Sequence, residues 1–223
     1  WLRAAVADGT IATSENGTGP YALASWQRGA QMVFARNNDY WGDKAKSKRL
    51  VVQFESESAA RLLQLRAGSV DGVDNLAATD AESLRTEPGV SLVPRAGFNT
   101  FYVNFNNRFA PFDDARVRRA FNLAVDRKAI IDAVFGNAGV AAANPIPPTL
   151  WSYNANIKDY PHDPARARQL LAEAGLGNGF SFNLWALPIQ RPYNPNGRRT
   201  AELVQADLAK IGVTANIVSY EWG

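Results

Sequence analysis

An arginine set among prolines, at the end of an apolar run, carries the most legible chemistry in this chain of 223 residues. The run Leu184-Trp185-Ala186-Leu187 stops at Pro188. Arg191 follows, pinned by Pro192 and trailed by Tyr193, Asn194, Pro195 and Asn196. Each proline fixes its own φ and drives the residue before it toward extended geometry. Arg191 is therefore expected on a stiff loop at the end of a strand, with aromatic neighbours. A planar guanidinium held this way suits bidentate capture of a carboxylate. Ligands in open α/β sheets gather at the carboxyl ends of strands. Pockets favour aromatic walls around a few polar groups, which makes Trp185 and Tyr193 candidate walls. The competing reading is an arginine paired with a surface carboxylate, a contact that contributes little. From the residues alone the two stand open.

Catalytic chemistry has less to work with. The chain holds one histidine and no cysteine. His162 lies in the polar stretch Asp159-Tyr160-Pro161-His162-Asp163-Pro164, which reads as a surface loop before a helix cap. Triads of the Ser-His or Cys-His kind lack partners, zinc lacks its usual ligands, and disulfides are excluded. Asp71 and Asp74 sit in a turn sequence, and Asp113-Asp114 reads as a helix cap. Gly17-Thr18-Gly19-Pro20 lacks the Lys-Ser/Thr of a phosphate cradle and precedes a strand, so it reads as a tight turn. The net charge is +3 and the basic residues are dispersed, apart from Lys44, Lys46, Lys48 and Arg49. That cluster reads as a solvated loop, and no nucleic-acid partner is expected. No apolar run approaches the ~20 residues that span a bilayer.

The elements that position these groups follow from periodicity. Tyr21 to Trp26 and Gln31 to Arg36 flank a turn at Gln27-Arg28-Gly29, which predicts a β-hairpin. Arg49 to Glu55 alternates as a strand, and Ser58 to Ala67 has helical spacing ended by Gly68. Val70 to Val73, Val90 to Val93 and Thr100 to Asn106 read as further strands. Thr79-x-x-Glu82 reads as a capping box. After Asn106 the texture turns helical. Asp113 or Asp114 caps a helix with Val117, Ala120, Phe121 and Ala124 on one stripe. Asp126 caps the next helix, which Gly136 ends. Asp163-Pro164 opens another helix, closed by Gly175. A strand over Phe180–Leu187, a helix from about Arg198 to Ile211 and a strand over Val213–Tyr220 predict a βαβ unit with parallel strands. Ala201, Val204, Leu208 and Ile211 form that helix's apolar stripe.

In order and spacing, a set of short motifs resembles one family from end to end. They are Gly17-Thr18-Gly19-Pro20-Tyr21, Asn38-Asp39-Tyr40-Trp41-Gly42, Ala60-Arg61-Leu62 through Gly68, and Pro111-Phe112-Asp113-Asp114-Ala115-Arg116-Val117-Arg118. Asn144-Pro145-Ile146-Pro147-Pro148, Arg191 to Asn196 and Tyr220-Glu221-Trp222-Gly223 complete it. The chain resembles the solute-binding proteins of bacterial peptide ABC transporters, family 5, most closely the dipeptide-binding branch. The resemblance implies an α/β, type II periplasmic-binding-protein-like fold of two lobes with the ligand between them. Residues 1–105 would be part of the first lobe and 106–223 part of the second, with a hinge near 104–108. It implies a non-enzymatic protein that binds a small peptide, uses no cofactor and no metal, and delivers the peptide to the permease subunits. The place would be the periplasm, or the outer surface as a lipid-anchored protein. Arg191 would receive the ligand's α-carboxylate, with Tyr193, Trp185 and Asn194 as further ligand-binding residues. The aspartate that meets the ligand's amino group would lie beyond Gly223, and the chain is expected to be an internal segment. Relatives carrying haem, nickel complexes, oligosaccharides or opines supply the alternative ligands, and a peptide-acting hydrolase is the reading from another class.

Overall fold

Gly29, at φ +75°, turns the chain between the first two strands, a backbone region that glycine enters without a Cβ clash. The computed structural model describes residues 2–13 and 15–221, apart from the side chains of Leu2, Ala78, Thr79 and Asn137. Chain contacts divide it into two units, Trp1–Val73 and Asp74–Gly223.

The first unit opens with the short helix α1 (Leu2–Ala7). Strands β1 (Tyr21–Gln27), β2 (Gln31–Arg36) and β3 (Arg49–Gln53) then form an antiparallel sheet in that order. The hairpin stands where the turn chemistry put it, with a register shift between Leu23 and Ser25. Helix α2 (Ser58–Arg66) follows, and Gly68 at φ +67° turns the chain just past its end. The glycine-proline motif is structural. Its Thr18 and Gly19 carbonyls accept from Trp41 Nε1 at 3.2 Å and Asn37 Nδ2 at 3.1 Å.

The second unit contains α3 (Ala78–Ser83), α4 (Ala115–Ala124), α5 (Arg127–Ile130), α6 (Pro164–Glu173), β4 (Phe180–Trp185), α7 (Gly197–Ala209) and β5 (Val213–Val218). Helix α3 starts after Ala77, two residues ahead of the expected cap, and the Thr79 side chain lies outside the described residues, as do Trp222 and Gly223. Of the two candidate caps for α4, Asp114 is the one used, accepting from Arg116 N at 2.7 Å. Asp126 and Asp163 cap α5 and α6 through Ala129 N at 3.0 Å and Arg166 N at 2.9 Å. A π turn over Ile131–Phe135 carries α5 on to Gly136. Strands β4 and β5 pair in parallel, Phe180 against Val213 through Trp185 against Val218, as the βαβ reading required.

The core of this unit packs α4, α6 and α7 with the strands. Val117, Ala120, Ala124, Ala167 and Leu208 are wholly buried, with Leu171, Val213 and Ala215 at 1% exposure. Rings of Phe105, Phe112, Phe121 and Phe182 close beside them, with centroids 5.3–5.5 Å apart in five pairs. Such edge and stacked contacts add to the area they bury.

The structure corrects some elements. Residues 70–73, 90–93 and 100–106 are not strands and have no strand partner among the described residues. Alternation shows that a segment has two faces, but a strand also needs a neighbour for its N–H and C=O groups. Strands β4 and β5 stop at Trp185 and Val218, short of Leu187 and Tyr220. Helix α7 begins at Gly197 and ends at Ala209.

Candidate functional site

Past Trp185 the chain leaves the ladder but stays tied to β5. Ala186 N donates to the Val218 carbonyl at 2.8 Å. Ser219 Oγ donates to the Ala186 carbonyl at 3.0 Å. Pro188 then prevents further pairing, and the chain turns back at Arg191-Pro192-Tyr193-Asn194. The two ends of this turn exchange both backbone hydrogen bonds: Arg191 N to the Asn194 carbonyl and Asn194 N to the Arg191 carbonyl, each 3.0 Å. The second of these is the closing bond of a β-turn, and Pro192 occupies the position where a fixed φ favours the turn.

Asn194 anchors the turn from within. It is 2% exposed, and its Oδ1 accepts from Thr200 Oγ1 at 3.0 Å. Thr200, also 2% exposed, shares that hydroxyl with the Asn196 carbonyl at 2.9 Å. Asn196 is the N-cap of α7 and accepts from Arg199 N at 2.9 Å. Gly197 lets the first turn of α7 lie against Leu187, since a Cβ there would stand 2.6 Å from the Leu187 carbonyl oxygen. The turn that carries Arg191 thus runs straight into a helix start, where unsatisfied N–H groups and the macrodipole favour negative charge.

The structure brings three of the expected residues, Arg191, Tyr193 and Asn194, onto one turn. Arg191 and Tyr193 are half-buried. Trp185, the last residue of β4, is 70% exposed, and its ring lies 4.7 Å from that of Tyr220, itself 62% exposed. Thr200 and Gly197 were not singled out in the sequence, and Tyr220 stood there only as part of a family motif and the end of a strand, not as a site residue. Tyr220 was findable: Trp185 pairs with Val218, and period-two alternation puts Tyr220 on the same side, two residues on. Thr200 carried no signal, because a threonine in a helix's first turns usually faces solvent.

Among the described residues no acid–base constellation competes with this site. His162 Nδ1 is 3.6 Å from Asp126 Oδ2, on a partly exposed loop, and Asp126 is engaged in capping α5. The buried Asp207 is structural, accepting from Asp126 N at 2.8 Å and from Lys210 Nζ at 2.7 Å. That carboxylate raises the Lys210 amine above the ordinary lysine range. Among the described residues no group of three or more His, Cys, Asp or Glu is placed to hold a metal ion. No described helix is long and apolar enough to cross a membrane.

Residues 3–223 match the family model of bacterial extracellular solute-binding proteins, family 5 middle. A di/tripeptide-binding protein of Pseudomonas aeruginosa is 45% identical over 208 residues, 93% of this chain and 39% of the relative. A heme-binding protein A of Haemophilus influenzae is 44% identical over 213 residues, 96% of this chain and 39% of the relative. The dipeptide-binding protein of Pseudoalteromonas sp. SM9913, solved in complex with Met-Leu, superposes with a TM-score of 0.78 at 32% identity, over 99% of this chain and 44% of that one. The chain spans about two-fifths of the length of the curated relatives it matches. It belongs to the family 5 bacterial extracellular solute-binding proteins and has their α/β, type II periplasmic-binding-protein fold.

Proposed function

We propose that this chain belongs to the substrate-binding component of an ABC system that imports small peptides, dipeptides foremost, and that Arg191 receives the peptide's α-carboxylate. The observation that carries the proposal is the Arg191 turn. A guanidinium is mounted on a doubly hydrogen-bonded turn, at the end of a parallel strand and at the start of a helix. Gripping the charged end of a peptide leaves its side chains unconstrained, which suits a carrier of many sequences. Tyr193 and Trp185 serve as walls, and Asn194 acts by fixing the turn. The protein does no chemistry on its ligand. It works outside the cytoplasmic membrane, in the periplasm or on a lipid anchor, and passes the peptide to the permease. The lobe boundary near 104–108 goes with this reading, and structures with and without peptide would differ by a rotation there.

The test uses a protein of the relatives' full length that carries these 223 residues. Removing one partner of a buried, hydrogen-bonded charge pair costs about 2–5 kcal/mol. By calorimetry, Arg191→Ala therefore weakens dipeptide binding by roughly thirty- to several-thousand-fold. Arg191→Lys recovers only part, since an ammonium lacks the planar fork. Unchanged affinity in Arg191→Ala contradicts the proposal.

A second reading takes haem as the ligand, with Arg191 meeting a propionate. The 44% identity to a protein named for heme binding favours it. A haem titration followed by absorbance, run beside the peptide titration, separates the two.

A further inference from the structure

We infer that Thr200 is a positioning residue for ligand capture: its buried hydroxyl, acting through Asn194, holds the Arg191 turn in its binding shape. The inference rests on the reading of Arg191 as the carboxylate receiver. Arg191 owes its backbone position to Asn194, because the two residues exchange both main-chain hydrogen bonds at 3.0 Å. Asn194 in turn reaches α7 through its side chain, by the 3.0 Å bond from Thr200. Both residues are 2% exposed, so water is a poor substitute for either partner. Thr200 itself cannot wander. It is β-branched, with a stiff χ1, and its hydroxyl also bonds the Asn196 carbonyl at 2.9 Å. It sits on the helix whose Ala201, Val204 and Leu208 are 5%, 5% and 0% exposed in the core. A continuous path therefore runs from the packed core through α7, Thr200 and Asn194 to Arg191. Holding the turn before the ligand arrives removes part of the ordering cost of binding.

Thr200→Val keeps the shape and removes the hydroxyl, leaving a buried Asn194 acceptor without its partner. In the full-length protein, dipeptide affinity is expected to fall about tenfold, the scale of one buried hydrogen bond. Thr200→Ser is expected to restore most of it. In an Arg191→Ala background Thr200→Val is expected to change affinity no further, because the group it positions is gone. Ligand-free amide exchange gives an independent arm: Arg191 and Asn194 exchange faster in Thr200→Val, while β4 and β5 keep their protection. If Arg191→Ala weakens binding but Thr200→Val leaves both affinity and exchange unchanged, the inference is overturned and the Arg191 reading stands. If Arg191→Ala leaves binding intact, that reading is overturned, and the exchange arm alone decides whether Thr200 holds the turn. Failure of Thr200→Ser to restore affinity, or a further loss in the Arg191→Ala background, would show a general packing role and overturn the inference.

Discussion

Every residue of β3 is exposed, with Leu50, Val51 and Val52 at 44%, 43% and 39%, whereas β5 opens on Val213 and Ala215 at 1% each. Both segments are short runs rich in β-formers. The difference lies in what crosses them. Helix α7 joins β4 to β5 and packs on their inner face, donating from Gln205 to the Ala215 carbonyl at 2.6 Å. In the first unit the buried apolar positions among the described residues are Ala5 and Leu62, neither of them on the sheet. A hydrogen-bonded sheet is thus not by itself a core. The Arg191 turn is mounted on the sheet that has one, so its backbone is tied to a packed unit.

Denaturant titration of the 223-residue chain, with amide exchange resolving each unit, reads the difference in packing. Leu208→Ala, at a wholly buried site, is expected to cost about 2–5 kcal/mol. A cost below about 1 kcal/mol, the surface range, would show that the second unit is loosely packed. Asp207→Ala leaves the Asp126 N–H without its acceptor and is expected to cost about 1–3 kcal/mol, lowering protection at the α4–α5 junction first. In the 223-residue chain Val51→Ala on β3 is expected to stay within about 1 kcal/mol, since little apolar area is lost there. A loss as large as that of Leu208→Ala would contradict the contrast.

The smallest effect is one of pH. Asp114 lies below the ordinary carboxylate range, chiefly through the Arg116 side chain and then through the Arg116 N–H it caps. A depressed folded pKa gives stability that is present above the unfolded value of about 3.9 and is lost as pH falls through the folded one. An NMR titration of Asp114 is expected to have its midpoint below that value, with α4 fraying as it protonates. A midpoint at or above it contradicts the assignment.

Much of this was legible in the sequence because local chemistry governed it. The caps Asp126 and Asp163, the stops Gly68, Gly136, Gly175 and Gly212, and the stripe of α7 all stand where residue type put them. The strands misread at 90–93 and 100–106 failed because pairing is not local. Phe105 shows the point: its ring packs at 5.4 Å on Phe112, yet Val103, two residues before it, is exposed and no ladder forms around it. At the site, the prolines announced a stiff turn and the arginine its charge. Thr200 stayed hidden because its role comes from burial against Asn194, which no spacing encodes.

Whether Arg191 meets the peptide's carboxylate is decided by a cycle of protein change against ligand change. Calorimetry on the full-length protein would compare a dipeptide with its C-terminal amide, for wild type and Arg191→Ala. If Arg191 meets the carboxylate, amidation weakens wild-type binding strongly and mutant binding little, so the two losses are far from additive. Additive losses would mean that Arg191 and the carboxylate do not interact, and that Arg191 is a structural arginine of the turn.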